Sequence, residues 1–283
     1  MARHFALPLA LFFATLLWTG PRFSVGTNFT VLNHCKETVW TGITPSENIT
    51  ITDFTLQPGK SSFFTAPTGW HGRVWGRTGC SFDNTGNGTC QTGSCGSSLK
   101  CSEPGQQPAT IAEFTLGQTD FYDVSLVGGF NLPMTVSPRD GKGNCSTAGC
   151  DGDLRDNCPQ ELAVKDDGKT TACRSPCDKF NTDQYCCRGT YGSPMSCQAT
   201  NYSTSFKKVC PAAYSYAFDD PTSVVTCSSV SGYIVTFCAT RNQTVCKYND
   251  QQVVCNKAGV SSNMKAIQQI WWIIILSIFS VFS

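Results

Sequence analysis

Eighteen cysteines in a chain of 283 residues constrain this fold more than any other feature. They are scattered instead of gathered in Cys-x-x-Cys knuckles, and past the first few residues only His34 and His71 accompany them. That pattern disfavours zinc-type ligation and favours a disulfide framework made in an oxidising compartment. No metal and no cofactor is expected. Cys186 and Cys187 are adjacent, so their Cα atoms lie ~3.8 Å apart, below the usual span of a disulfide, and each needs a different partner. The Gly-rich run from Cys80 to Cys101 carries four cysteines and little apolar material, so bridges and not burial must order it. A second cysteine-dense stretch runs from Cys145 to Cys210. Cys246 and Cys255 stand apart in a polar extension and are expected to pair with each other.

Both ends of the chain read as targeting signals. Arg3 and His4 precede an apolar run from Phe5 to Trp18, and Ser24-Val25-Gly26 offers small residues for cleavage, which predicts a secretory leader over 1–26. The apolar segment from Ile270 to Ser283 would span only about 21 Å as a helix, short of the hydrocarbon core. Small residues at 258–263 and a polar spacer precede it. The polar extension 239–263 followed by 264–283 therefore predicts a glycolipid-anchor signal, with the membrane reached through that anchor at the outer face of the plasma membrane. Six N-x-S/T sequons, at Asn28, Asn48, Asn87, Asn144, Asn201 and Asn242, agree with passage through the secretory route. A formal net charge of +1, with Lys207-Lys208 as the one adjacent basic pair, excludes the electrostatic footprint of a nucleic-acid binder.

One long stretch has no cysteine and must hold its shape by packing. Within it, Ile111 to Met134 reads as two strands of period two. Ala112, Phe114 and Leu116 share one face; after a Gly117-Gln118 turn, so do Tyr122, Val124 and Leu126. Facing those rows to a core projects Glu113 and Asp123 from the other side. Thr27 to Val74 and Tyr214 to Cys238 contain similar alternating runs between Gly, Pro and Asn turns, so the chain is mainly β. A helical turn is expected at Phe206–Cys210, stopped by Pro211.

Five motifs sharpen this reading: Cys90-Gln91-Thr92-Gly93-Ser94-Cys95, Ala112-Glu113-Phe114, Gly129-Phe130-Asn131-Leu132-Pro133-Met134, Tyr185-Cys186-Cys187, and Tyr214-Ser215-Tyr216 with Asp219-Asp220-Pro221. Together they resemble the thaumatin-like family, over about Thr27 to Cys238. The resemblance implies a flattened antiparallel β-sandwich (27–77, 109–151 and 211–238) carrying two disulfide-rich lobes, a small one at 78–108 and a larger one at 152–210. It implies the bridges Cys35–Cys238, Cys80–Cys90, Cys95–Cys101, Cys145–Cys227, Cys150–Cys210, Cys158–Cys173, Cys177–Cys186 and Cys187–Cys197.

The same resemblance implies a cleft between the sandwich and the larger lobe, lined by an arginine and acidic residues. By motif these fall on Arg73, Glu113, Asp123 and either Asp219 or Asp220. The sequence departs from the family at Gly128, where an aspartate is usual, and at Ser94, where the signature prefers aspartate. A missing carboxylate weakens the field of the cleft and the mutual crowding of its acids. The aromatic residues Tyr122, Phe130, Tyr214 and Tyr216 lie in or beside the acidic motifs, and two or three of them are expected to line the cleft.

The implied function is a secreted or surface-anchored monomer that binds β-1,3-glucan-type polysaccharide, in an antifungal or stress-related defence role. An alternative is a weak endo-β-1,3-glucanase with Glu113 as acid and Asp123 as base or nucleophile, since glycosidases pair one protonated with one ionised carboxyl. A further alternative is a non-catalytic surface interaction protein whose cleft has weakened. A serine-histidine site finds no support, because neither histidine accompanies a nucleophile motif.

Overall fold

The computed structural model describes residues 26–44, 49–51, 54–143 and 145–239, and the backbone of 246–249 and 252–255. Residues 1–25 of the expected leader (1–26), the sequons at Asn48, Asn144 and Asn242, and the apolar tail lie outside the described residues.

Alternating apolar residues make the first strands, β1 (Thr27–Asn33), β2 (Val39–Ile43), the two-residue β3 (Thr55–Leu56), β4 (Ser61–Ala66) and β5 (His71–Arg77). A small hairpin of β6 (Ser81–Phe82) and β7 (Gly88–Thr89) follows. The cysteine-free stretch supplies β8 (Ile111–Thr115), β9 (Thr119–Ser125) and β10 (Met134–Arg139). Next come β11 (Ala148–Cys150) and a lobe built from the hairpin β12 (Ala163–Asp166) and β13 (Lys169–Cys173). Its helices are α1 (Pro176–Phe180), α2 (Asp183–Cys186) and α3 (Asn201–Val209). The chain returns through the single turn α4 (Asp220–Ser223) to β14 (Val225–Ser228) and β15 (Gly232–Phe237). A last hairpin pairs β16 (Cys246–Asn249) with β17 (Gln252–Cys255), placing Cys246 opposite Cys255 in backbone register. The side chains of that pair, and so their expected bridge, lie outside the described residues.

Two sheets face each other. One has the order β14-β9-β8-β5-β2-β3 and the other β11-β10-β15-β1-β4. Among the described strands, pairing is antiparallel with one exception: β1 and β15 run parallel from Asn28↔Gly232 to Asn33↔Phe237. The antiparallel expectation misses this pair because its strands come from opposite ends of the domain. Parallel neighbours need a long crossover, and here the rest of the domain is the crossover. Cys35–Cys238 closes just beyond the pair.

The inner faces meet in an aromatic cluster centred on Phe29. Its ring lies 4.6 Å from Phe64, 4.9 Å from Phe114, 5.4 Å from Tyr233 and 5.5 Å from Trp70. Each such pair adds roughly 0.5–1.5 kcal/mol beyond its buried area. Ala112, Phe114, Leu116, Tyr122, Val124 and Leu126 are all buried, as their alternation requires. The tight β8–β9 turn is pinned by the buried Asp120, whose carboxylate accepts from Gly117 N–H and from the Tyr233 hydroxyl, both at 2.9 Å. That pin fixes the register that sets Glu113 opposite Asp123.

The lobe after β11 has few large apolar side chains, and local signals order it. Ser175 caps α1, Thr182 caps α2, and Thr200 with Ser203 forms a capping box on α3. The predicted helical turn is the last part of α3, which ends before Pro211. Bridges join Cys158–Cys173, Cys177–Cys186 and Cys187–Cys197 here, and Cys150–Cys210 ties α3's end to β11. With Cys80–Cys90, Cys95–Cys101 and Cys145–Cys227 elsewhere, the pairing is the one the resemblance implies.

Candidate functional site

Strand parity builds the site on the outer face of the larger sheet. Arg73 on β5 pairs with Glu113 on β8, which pairs with Asp123 on β9, so three neighbouring strands present one row of charged side chains. Residues directly opposite on antiparallel strands have Cβ atoms ~4.5–5.5 Å apart. One step along, His71, Thr115 and Phe121 form a parallel row. The two rows, with Pro104 at the rim, enclose a groove of about 330 Å³. The groove was expected between the sandwich and the larger lobe; Pro104 instead comes from the segment of the small lobe, and no residue of 152–210 lines the groove.

Arg73 Nε donates to Glu113 Oε1 at 2.7 Å, and the Arg73 backbone N–H is held by the Thr44 hydroxyl at 2.9 Å. Both side chains of the pair are substantially exposed, at 51% and 34%, so the contact orients Glu113 more than it stabilises the fold. Asp123 is different. Burial, then the charges of Glu113 and Asp220, push its carboxyl up to about 8, with Arg73 opposing. At neutral pH Asp123 is thus a protonated donor beside a carboxylate anchored on Arg73. The electrostatics favour the reverse of the expected assignment: Asp123 holds the proton and Glu113 accepts.

Asp220 reaches this cluster from the turn α4. It is exposed and accepts from the Tyr214 hydroxyl. Tyr214 is spliced to β9 by its backbone, donating to Val124 O at 2.8 Å and accepting from Leu126 N–H at 2.9 Å. Burial and then the hydrogen bond to Asp220 push the Tyr214 hydroxyl well above its ordinary range.

Asp219 does not join the groove, although it was a candidate equal to Asp220. It is 8% exposed and turned inward, where Oδ2 accepts from Lys207 Nζ, Ser215 N–H and the Ser215 hydroxyl, each at 2.9 Å. A helical turn sends successive side chains in different directions, and only one of two adjacent aspartates can face out.

The aromatic expectations divide. Tyr122 and Phe130 are fully buried in the core, so neither lines the groove. Tyr216 lines a separate crevice against the larger lobe with Tyr185 and Thr200. The ring that does border the acids is Phe121, 47% exposed and unanticipated. Its signal was available: Phe121 shares parity with Asp123, so any register that exposes one exposes the other.

At the position of the missing aspartate, Gly128 is buried, and a Cβ there would lie 3.1–3.2 Å from the Gln107 side chain. Gln107 thus takes up room beside the place where the family's carboxyl would begin. Ser94 is likewise buried, within the small lobe. Of the sequons, Asn28, Asn87 and Asn201 are exposed.

Comparison with known proteins agrees with this architecture. Residues 33–239 match the model of the Thaumatin family. A pathogenesis-related thaumatin-like protein 3.5 of Cryptomeria japonica is 50% identical over 75% of this chain and 90% of its own length. A glucan endo-1,3-beta-glucosidase of Prunus avium is 45% identical over 73% of this chain and 88% of its own. In fold alone, the chain is similar to a GH family 64 laminaripentaose-producing beta-1,3-glucanase from Paenibacillus barengoltzii, with a TM-score of 0.50, 14% identity and 78% of each chain covered. On the extent of these matches, together with its sandwich and its bridges, the chain belongs to the thaumatin family.

Proposed function

We propose that the groove binds a neutral, hydroxyl-rich polysaccharide of the β-1,3-glucan type, and that the protein serves antifungal or stress-related defence outside the cell. The observation that carries this reading is the single row Arg73–Glu113–Asp123 with the exposed Phe121 ring beside it. A sugar chain offers hydroxyls and apolar C–H faces together. Glu113 supplies an acceptor, Asp123 in its protonated form a donor, and Arg73 further N–H donors; the Phe121 face stacks on a pyranose ring. Groups of both polarities on one surface suit an uncharged polymer better than a charged one. The names of the two relatives, one pathogenesis-related and one a glucan endo-1,3-beta-glucosidase, support the same reading.

The direct test is retention of the purified ectodomain on insoluble β-1,3-glucan. Glu113→Ala with Asp123→Ala should reduce retention at least tenfold, the loss expected when one charge-assisted and one neutral hydrogen bond go. Equal retention of parent and variant contradicts the reading. Secretion through the leader and a glycolipid anchor at the cell surface complete the proposal. Release from membranes by phosphatidylinositol-specific phospholipase supports the anchor, and continued retention refutes it.

A second reading, weak endo-β-1,3-glucanase activity, is favoured by the split between the two carboxyls. Asp123 carries the proton a leaving oxygen needs, and Glu113, its direct cross-strand partner, is the second carboxyl such a reaction requires. Asp123→Asn should then abolish reducing-end release from laminarin while binding persists. No hydrolysis by the parent protein removes this second reading and leaves the first untouched.

A further inference from the structure

Lys207 is a lysine almost without solvent contact, 4% exposed, on a helix whose other charged residue, Lys208, is exposed. Its ammonium donates to Ala213 O at 2.8 Å, Asp219 Oδ2 at 2.9 Å and Ser223 Oγ at 2.7 Å. All three acceptors belong to one segment, 213–223. Asp219 adds its bonds to Ser215, and its Oδ1 accepts from the Thr222 hydroxyl at 2.7 Å. The segment is thereby gathered round a single cation. A buried ammonium is tolerated only when its donors are satisfied, and here all three are. Burial lowers the affinity of Lys207 for its proton, with Asp219 opposing. Nothing in catalysis or binding on the outer face touches this lysine.

Two side chains of the gathered segment, Tyr214 and Asp220, look away from Lys207 and meet each other beside Asp123. Tyr214 follows Ala213 directly, and Asp220 follows Asp219 directly, so each is one residue from an acceptor of Lys207. We infer that Lys207 is a positioning residue for the acidic groove: its ammonium, held in the stapled lobe, sets the segment that carries Tyr214 and Asp220 against β9. The groups facing Asp123 are then Arg73 from β5, Glu113 from β8, and Tyr214 with Asp220 from this segment. Lys207 governs the last two.

The role rests on the saccharide reading only where binding is measured, so the deciding readout is the carboxyl titration of Asp123 followed by carbon NMR in the intact domain. Removing a distant cation by electrostatics alone would raise the midpoint of a carboxyl. Loosening the segment removes the nearby negative charge of Asp220 and lowers it. Lys207→Met should therefore move the Asp123 midpoint down by about half a pH unit or more, in the direction of Asp220→Asn. Should Lys207→Met not fold, Lys207→Met/Asp219→Leu removes the stranded charge as well. Ser223→Ala, which deletes one acceptor and keeps the ion pair, carries the same test at smaller amplitude. An unchanged or raised midpoint in the folded variants overturns the inference. Retention on β-1,3-glucan should fall in parallel; a parent protein that never binds glucan defeats the saccharide reading alone, since the titration still decides the role of Lys207.

Discussion

The cysteine-free span between Cys101 and Cys145 and the lobe between Cys158 and Cys197 solve the same problem by different means. The first holds β8, β9 and β10, with Ala112, Phe114, Leu116, Tyr122, Val124 and Leu126 buried in one continuous core. The second holds a hairpin, two short helices and a 3-10 turn, with three bridges in the stretch. Burial at about 25 cal/mol per Å² orders the strands; restriction of the unfolded chain orders the lobe. The site needs both. Packing sets Glu113 and Asp123 to within a strand register, while the stapled lobe lends Lys207 to aim Asp220.

The contrast breaks most visibly with Phe114→Ala, which removes a ring from the shared core beside Phe29 and Tyr233. It should cost about 3–5 kcal/mol and lower the thermal midpoint of the whole domain. Opening Cys187–Cys197, with both residues changed to serine, should cost about 2–3 kcal/mol. Its effect should stay local: amide exchange rises across 176–200 while β8 and β9 keep their protection. Global loss of protection would show that the two regions are not separable.

Smaller still is Asp123→Asn. The folded carboxyl titrates near 8, against 3.8 for the unfolded chain. Between those values the folded state holds a proton that the unfolded state releases, so stability falls as pH rises through this window. The substituted amide does not titrate, and the variant should gain on the order of 2 kcal/mol over the parent above pH 8, after allowance for solvent screening. The gain should vanish below pH 4; equal curves for the two proteins at all pH would contradict it. The mildest change is Gly128→Asp. Gln107 must yield a few tenths of an ångström, at a cost of about 1 kcal/mol, the low end for overpacking because a long side chain can shift. Thermal denaturation checks it: a midpoint within a few degrees of the parent's is expected, and a larger loss contradicts it.

Much of the sandwich was legible because its signal is local. Period-two alternation places Glu113 and Asp123 on one face before any tertiary contact is known. The bridges were not legible from spacing; family resemblance supplied them. Asp219 and Asp220 could not be told apart, because which one faces out depends on a lysine twelve residues earlier in sequence and on another element. Phe121 is legible by its parity with Asp123 but not by its type, because the core absorbs most aromatic residues at strand spacing. The protonation of Asp123 was beyond reach, since it depends first on burial and then on the charges of Glu113 on β8 and Asp220 after Asp219, with Arg73 on β5 opposing.

The most direct measurement is retention of the parent protein and of Asp123→Asn on insoluble β-1,3-glucan from pH 5 to pH 9. Parent retention should be high at low pH and fall as Asp123 ionises near 8, while the amide variant, a fixed donor, should give a flat profile. Two identical profiles would contradict a protonated Asp123 at the centre of the site.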